Sequence, residues 1–254
     1  VAYETFPLTA ENDFLPDLDA IPEETARRAK FIYINYPNNP TGAVATKAFY
    51  EKLVAWAKTY EVGVVSDLAY GALGYQGYEN PSFLSTPGAK DVGIEFYTFS
   101  KTFNMAGWRL AFAAGNDQMI EALNLIQDHL FVGIFPALQE AGIAALSDPK
   151  SEEAVAKLNA TYDSRRDAFV QAAAKIGWQA FPSRGSFYAW MPVPEGYTSE
   201  SFADLLLEKV HVAVAPGKGF GPAGDAYVRI GLLVEPERLV EAVDRIANLH
   251  LFNN

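Results

Sequence analysis

The run YTFSKTFNMAGWRLAF, residues 97–112, decides the fold assignment because two cations interrupt an otherwise aromatic, small and apolar stretch. Lys101 follows the hydroxyls of Thr98 and Ser100, and Arg109 comes eight residues later. A buried apolar stretch rarely contains a lysine, unless that lysine is paired with another group or is reactive. A deprotonated lysine at a strand end can form a Schiff base with an aldehyde. The alternative is a lysine whose stem packs while its head reaches water.

On both sides of this run, short β-rich segments alternate with helical patterns. Strands are predicted at 31–35, 61–67, 94–100 and 109–115, and the opening residues 1–8 have the pattern of a further strand. Helices are predicted after Thr46, around 120–130 and over 137–148. Strands that alternate with helices favour an α/β fold with a mostly parallel sheet.

A polar, proline-containing break at SDPKSEE, residues 147–153, marks a change in the pattern. A long helix that ends at Gly177 follows it. Beyond the helix, strands are predicted at 179–183, 186–193, 212–216 and 227–233, and helices at 199–209 and 236–250. We therefore predict a large α/β domain over 1–150 and a smaller C-terminal α+β domain over 151–254, which includes the interdomain helix.

Composition excludes several classes of function. The 254 residues carry a net charge of −11, which disfavours nucleic acid as a partner. There is no cysteine, so disulfides and thiolate chemistry are excluded. No apolar run has the length of a membrane span and no signal peptide is visible, so we expect a cytoplasmic protein with no membrane partner. His129, His211 and His250 lie far apart, and no metal site is expected.

Three further clusters carry polar groups that could act in chemistry. NYPNNPTG, residues 35–42, is a rigid turn after a strand, and by itself it is most simply a connecting loop. Asp67, with Tyr70 three residues on, ends a buried strand, where α/β sheets bind ligands, although Asp67 could instead cap a helix. Arg229 lies inside an apolar strand and suits a planar carboxylate, or else a structural salt bridge.

The order of these clusters is more specific than any one of them. Four motifs follow one another along the chain: Asn-Pro-Thr-Gly, then Asp-x-x-Tyr, then Thr-x-Ser-Lys with an arginine eight residues on, and finally a lone arginine in a strand. This order resembles that of the pyridoxal-phosphate-dependent aminotransferases of fold type I, class I/II, over essentially the whole chain. The resemblance implies that Lys101 holds the cofactor covalently and then acts as the general base. It also implies that Asp67 keeps the ring nitrogen protonated and that Tyr70 tunes the cofactor.

The resemblance extends to a full set of binding residues. Those expected to bind pyridoxal 5′-phosphate are Asn39, Asp67, Tyr70, Thr98, Lys101 and Arg109. Many relatives have serine at the position of Thr98, and both residues offer a hydroxyl. Two residues are expected to bind the substrate: Arg229, which would bind the α-carboxylate of the substrate, and Asn39.

The run GFGPAG, residues 219–224, matches a dinucleotide-binding pattern, but Pro222 interrupts it and a strand follows where a helix is required. We reject a nicotinamide site on that ground. In the resembling family the corresponding loop lines the substrate side, so Phe220 and Gly221 become candidates for specificity.

The resemblance also implies that an N-terminal portion of the enzyme is missing. That portion normally supplies a phosphate-binding turn, an aromatic that stacks on the cofactor ring, and a tyrosine given to the partner subunit. We therefore expect a fragment of a longer homodimeric enzyme, which by itself binds cofactor poorly or is inactive.

The flanks of the motifs, residues 69–116 and 184–209, resemble the branch that contains N-acetyl-LL-diaminopimelate and LL-diaminopimelate aminotransferases. They imply an amino-acid transaminase of lysine biosynthesis, with glutamate and 2-oxoglutarate as one substrate pair. Two alternatives stay open. One is a carbon–sulfur β-lyase with the same fold and cofactor. The other is a non-catalytic, ligand-sensing domain of a transcription regulator.

Overall fold

The computed structural model describes residues 2–252, which form two compact units. The large-sheet unit comprises 17–37 and 44–158. The small-sheet unit comprises 38–43 and the described parts of 1–16 and 159–254. The predicted division between 1–150 and 151–254 stays a prediction.

The large-sheet unit is built on a four-stranded sheet whose strand order follows the chain. Its strands are β1 (Phe31–Asn35), β2 (Gly63–Asp67), β3 (Gly93–Thr98) and β4 (Ala111–Gly115). β1, β2 and β3 run parallel, whereas β4 is antiparallel to β3. The predicted α/β class with a mostly parallel sheet is therefore confirmed. Because parallel strands end at one edge, the residues that follow β1, β2 and β3 lie at the same side of the sheet.

Helices and short connections complete the large-sheet unit. The helices are α1 (Glu23–Arg28), α2 (Lys47–Tyr60), α3 (Ala89–Val92), α4 (Phe99–Thr102), α5 (Asp117–Leu130) and α6 (Pro136–Ser147). α2 begins after Thr46, whose hydroxyl accepts a hydrogen bond from the Phe49 N–H, and it ends at Glu61 in the left-handed conformation. Tyr50 and Leu53 are fully buried, so the apolar face of α2 belongs to the core of this unit.

The small-sheet unit contains a three-stranded antiparallel sheet of order β5-β7-β6. Its strands are β5 (Tyr188–Pro192), β6 (Ala215–Pro216) and β7 (Tyr227–Gly231). The remaining helices are α7 (Lys150–Lys175), which enters this unit at residue 159, α8 (Ser199–Val210) and α9 (Pro236–Ala247). One hydrophobic core joins α7, α8 and α9 to the sheet, through Phe169, Trp178, Phe202, Val228 and Leu239.

Some predicted strands are wrong or shorter than expected. Residues 179–183 form no strand, because Pro182 has no N–H to donate and the Ser183 N–H turns back to the Phe181 carbonyl at 2.8 Å. The strand predicted at 1–8 is absent over residues 2–8, where most side chains are exposed, and residue 1 lies outside the described residues. Over residues 2–252, no helix combines the length and the apolarity needed to cross a membrane.

Candidate functional site

The carboxyl edge of the parallel strands presents Asp67, the last residue of β2. The pairing of β1 with β2 places Asn35 opposite Asp67, and the Asn35 side-chain amide donates to the Asp67 carbonyl at 3.0 Å. The Asp67 carboxylate accepts a hydrogen bond from the Ala69 N–H at 3.0 Å. The backbone around Asp67 is thus fixed by neighbours on both sides, which holds the carboxylate at the edge of the sheet.

Burial dominates the electrostatics of Asp67. Desolvation raises the pKa of its carboxyl, while the Ala69 N–H and the positive charge of Lys101 lower it by smaller amounts. The ion pairs formed among residues 2–252 do not include Asp67, so Lys101 acts on it through space. Burial of a carboxylate is costly unless a cation lies close to it, so a positive charge beside Asp67 would stabilise its ionised form.

Lys101 lies in α4, one turn beyond the end of β3. Its Nζ is 5.9 Å from the centre of the Tyr70 ring, within the range of a cation–π contact. Tyr70 is buried, at 5% exposure, in the turn that follows β2. The structure therefore brings together Asp67, Tyr70 and Lys101, three of the residues singled out from the sequence.

Thr98 forms the N-cap of α4. Its hydroxyl accepts a hydrogen bond from the Ser100 N–H at 3.2 Å and lies 3.0 Å from the Ser100 hydroxyl. Pairing of β3 with β4 sets Thr98 opposite Ala111. The hydroxyls of Thr98 and Ser100 therefore lie at the edge of the sheet, on residues close to Lys101 in the sequence.

Arg109 does not begin a strand, as the sequence suggested, because β4 begins at Ala111. Arg109 has φ 53°, a left-handed conformation that a strand cannot contain. Its exposed guanidinium donates to the Ala106 carbonyl at 3.1 Å. The turn directs the residue away from the ladder and leaves its side chain at the surface of this unit.

The second group of predicted residues lies in the small-sheet unit. The Arg229 guanidinium, on β7, donates to the Asn39 side-chain oxygen at 2.8 Å, although 190 residues separate the two. Asn39 is held by the turn over 38–43, in which Thr41 donates to the Asn38 side chain at 2.7 Å. Gly42 has φ +71°, and a Cβ there would collide with Ser183, so the turn requires glycine.

Two aromatic rings also contact Arg229. Its Cζ lies 4.1 Å from the ring centre of Tyr188 and 4.8 Å from that of Phe220. Phe220 was a sequence candidate, whereas Tyr188 was missed. The strand register accounts for this contact, because Trp190 pairs with Arg229 and Tyr188 is the next residue along β5 on the same face.

Comparison with known proteins identifies the family. The sequence model for aminotransferase class I and II matches residues 1–246. The chain belongs to this family. Class I and II aminotransferases depend on pyridoxal 5′-phosphate, so the predicted cofactor is confirmed at the level of the family.

Individual relatives agree with this aminotransferase assignment. The chain is 56% identical to the L-glutamine–4-(methylsulfanyl)-2-oxobutanoate aminotransferase of Bacillus subtilis, over 98% of this chain and 62% of that protein. It is 50% identical to the LL-diaminopimelate aminotransferase of Moorella thermoacetica, over 94% and 61%. A substrate-bound structure of BacF from Bacillus subtilis superposes with a TM-score of 0.91 at 46% identity, over 97% and 62%. The chain thus spans about 62% of the length of such relatives.

The groups at the sheet edge fit the cofactor chemically. Pyridoxal 5′-phosphate carries an aldehyde, a basic ring nitrogen and a phosphate. Burial raises the pKa of the Asp67 carboxyl, and a cation such as a protonated ring nitrogen would stabilise its ionised form. The amine of Lys101 matches the aldehyde, and the hydroxyls of Thr98 and Ser100 match the phosphate oxygens as donors.

Proposed function

We propose that the whole protein is a pyridoxal-phosphate-dependent aminotransferase that moves an amino group between an amino acid and a 2-oxo acid. The observation that carries this proposal is the grouping of Lys101, Asp67 and Tyr70 at the carboxyl edge of the parallel strands. Membership of the class I and II family supports it. A homodimeric assembly and a cytoplasmic location are parts of the same proposal.

Each residue of the large-sheet unit then has a role. When bound, the cofactor draws electrons away from the substrate α-carbon, which makes the proton on that carbon acidic. Asp67 would hold the ring nitrogen in its protonated form, and Tyr70 would donate to the ring oxygen. Thr98 and Arg109 would bind the phosphate through a hydroxyl and a guanidinium.

Lys101 would have two tasks. Its Nζ would hold the cofactor covalently before the substrate arrives. After the substrate displaces it, the free amine would take the proton from the substrate α-carbon and deliver it to the C4′ atom of the cofactor. The nearby Asp67 charge and the Tyr70 ring would keep the amine oriented between these transfers.

Arg229 and Asn39 would bind the substrate. The guanidinium presents parallel N–H groups that match the two oxygens of an α-carboxylate. The hydrogen bond from Arg229 to Asn39 fixes the orientation of that fork. Asn39 would in addition contact the ring oxygen of the cofactor through its amide.

Replacing Arg229 with lysine is expected to weaken amino-acid binding by about 1–3 kcal/mol, because the point charge of lysine loses the bidentate fork. Steady-state kinetics should show KM raised by about fivefold to 150-fold, with a smaller change in kcat. Arg238→Lys, at an exposed ion pair with Glu241, serves as the matched control. An unchanged KM for every amino acid tested would move the carboxylate site elsewhere.

The substrate itself is the finer part of the proposal. The flanking sequences suggest N-acetyl-LL-diaminopimelate with 2-oxoglutarate, and LL-diaminopimelate aminotransferases are 45–50% identical to this chain. The relative at 56% identity favours a second pair, glutamine with 4-(methylsulfanyl)-2-oxobutanoate. A panel of these donors and acceptors, assayed with the whole protein by amino-acid and 2-oxo-acid analysis, decides between them.

The same panel tests the other two candidate functions. A β-lyase would release pyruvate and ammonia from cystathionine without needing a 2-oxo-acid acceptor. A sensing domain would bind amino acids without turning any of them over. Acceptor-dependent formation of a new amino acid is the result that we expect.

A further inference from the structure

The two rings that contact Arg229 are held in different ways. Tyr188 belongs to β5, which pairs with the strand of Arg229, so the sheet itself positions its ring. Phe220 belongs to no strand. It ends the short 3-10 helix Gly217–Phe220, and its ring is 40% exposed. The place of Phe220 therefore depends on whatever holds the loop that carries it.

That loop turns at a glycine in its middle and is closed at its base. Gly221, next to Phe220, has φ +124°, a conformation open to glycine alone, and a second 3-10 helix, Pro222–Ala226, follows it. At the base, a Cβ on Gly217 would collide with the Gly224 carbonyl, so the two ends of the loop touch. The Phe220 ring extends from this closed base to the Trp190 ring, 5.9 Å away between centres.

A buried serine joins the base of the loop to α8. Ser199 is fully buried at the first turn of the helix, where its hydroxyl donates to the Asp225 carboxylate at 2.7 Å and its N–H donates to the same oxygen at 3.2 Å. The same hydroxyl accepts from the Lys218 N–H at 3.2 Å. We call Ser199, the Asp225 carboxylate and the Lys218 N–H the Ser199 clasp. It holds the loop on both sides of Phe220.

We propose that the Ser199 clasp is a positioning device that sets the affinity of Arg229 for the substrate carboxylate, by holding Phe220 against the guanidinium. The proposal rests on the function proposed above, which makes Arg229 the carboxylate site. Ser199 and Asp225 act through Phe220 and touch no substrate.

The physical argument concerns order and solvation. An aromatic face held over a guanidinium stabilises the cation, more strongly when water is excluded, and limits the orientations that the guanidinium adopts. A ring on a loose loop must be ordered each time an anion binds, and that ordering reduces the affinity. A ring that the clasp already holds incurs this cost on folding instead. The effect falls on binding and leaves proton transfer at Lys101, in the other unit, unaltered.

A double-mutant cycle tests the proposal on the 254-residue chain. The probe is hydrocinnamate, a carboxylate without an amino group, and its dissociation constant is followed by NMR titration, so that turnover is not needed. Phe220→Ala and Asp225→Ala are each expected to raise that constant by about threefold to tenfold, the size of the cost of ordering one side chain on binding. In the Phe220→Ala background, Asp225→Ala is expected to add less than about twofold, because the device has nothing left to position.

Two matched variants separate this role from general stability. Asp225→Asn keeps an oxygen that accepts from Ser199 and should bind the probe as the unmodified chain does. Glu200→Gln breaks the exposed ion pair between Glu200, on α8, and the side-chain amine of Lys218, leaves the Lys218 N–H in the clasp, and should also have no effect.

The outcomes are distinct. Additive losses from Phe220→Ala and Asp225→Ala, or no loss from Asp225→Ala, would overturn the proposal while Arg229 remains the carboxylate site. Probe binding that survives Arg229→Ala unchanged, or no binding of the probe by the unmodified chain, would overturn both the clasp and the proposed carboxylate site.

Discussion

Replacing Lys101 with alanine is expected to lower aminotransferase turnover by at least about a thousandfold, because one amine serves both as the covalent anchor and as the general base. The Asp67 charge and the Tyr70 ring, 5.9 Å from Nζ, would remain around the empty position. Single-turnover kinetics with an amino acid should therefore show cofactor retained by its other contacts but almost no product. Mass spectrometry after borohydride reduction should find no cofactor attached to the variant.

Two controls make this result specific. Lys101→Arg keeps the positive charge but cannot lose its proton, so it should be as inactive as the alanine variant. Lys90→Ala removes an exposed lysine from α3 and should leave turnover unchanged. Substantial turnover in Lys101→Arg would show that the residue contributes charge alone, and the assignment of the base would then be wrong.

Replacing Asp67 with asparagine is expected to lower turnover by about a hundredfold to a thousandfold, the usual effect of removing one preorganised electrostatic partner. Asparagine keeps the oxygen that accepts from the Ala69 N–H, so the local backbone should not change. What is lost is the negative charge that would keep the ring nitrogen protonated. Asp67→Glu, which keeps the negative charge on a side chain one methylene longer, should retain part of the rate.

The same substitution has an opposite effect on the stability of the protein without cofactor. Burial raises the folded pKa of Asp67, so between the usual carboxyl pKa and the raised value the folded state binds more protons than the unfolded state. Stability therefore falls as pH rises through that window. Thermal denaturation without cofactor should find Asp67→Asn more stable than the parent at neutral pH, and equal to it below the window.

Adding pyridoxal 5′-phosphate should reverse that order, because a cation beside Asp67 removes the cost of its burial. The parent protein should gain more thermal stability from the cofactor than Asp67→Asn does. Equal gains in the two proteins would contradict the pairing of Asp67 with the ring nitrogen.

Sequence reasoning succeeded where local chemistry and strand order are enough. Asp67 ends β2 and Lys101 lies just beyond the end of β3, and neighbouring parallel strands end at one edge, so the proximity of the two residues could be inferred from the order of the elements. Gly42 and the two prolines before it marked a turn, because glycine permits a positive φ whereas proline restricts φ.

The rest depended on contacts between distant parts of the chain. Nothing local to β7 specifies the hydrogen bond from Arg229 to Asn39, and only the family resemblance assigned both residues to the substrate. The contact with Tyr188 required the register of β5 against β7, which composition does not determine. The strand wrongly predicted at 179–183 contains one residue that favours strands, Phe181, but Pro182 and the turn at Ser183 remove the segment from the sheet.

The visible absorbance spectrum of the whole protein with pyridoxal 5′-phosphate, recorded before and after an amino donor is added, tests the central claim most directly. We predict a band of protein-bound cofactor that disappears with the donor and returns when a 2-oxo acid follows, and that Lys101→Ala lacks. A bound-cofactor band that no amino acid alters, or an equal conversion in Lys101→Ala, would contradict the account.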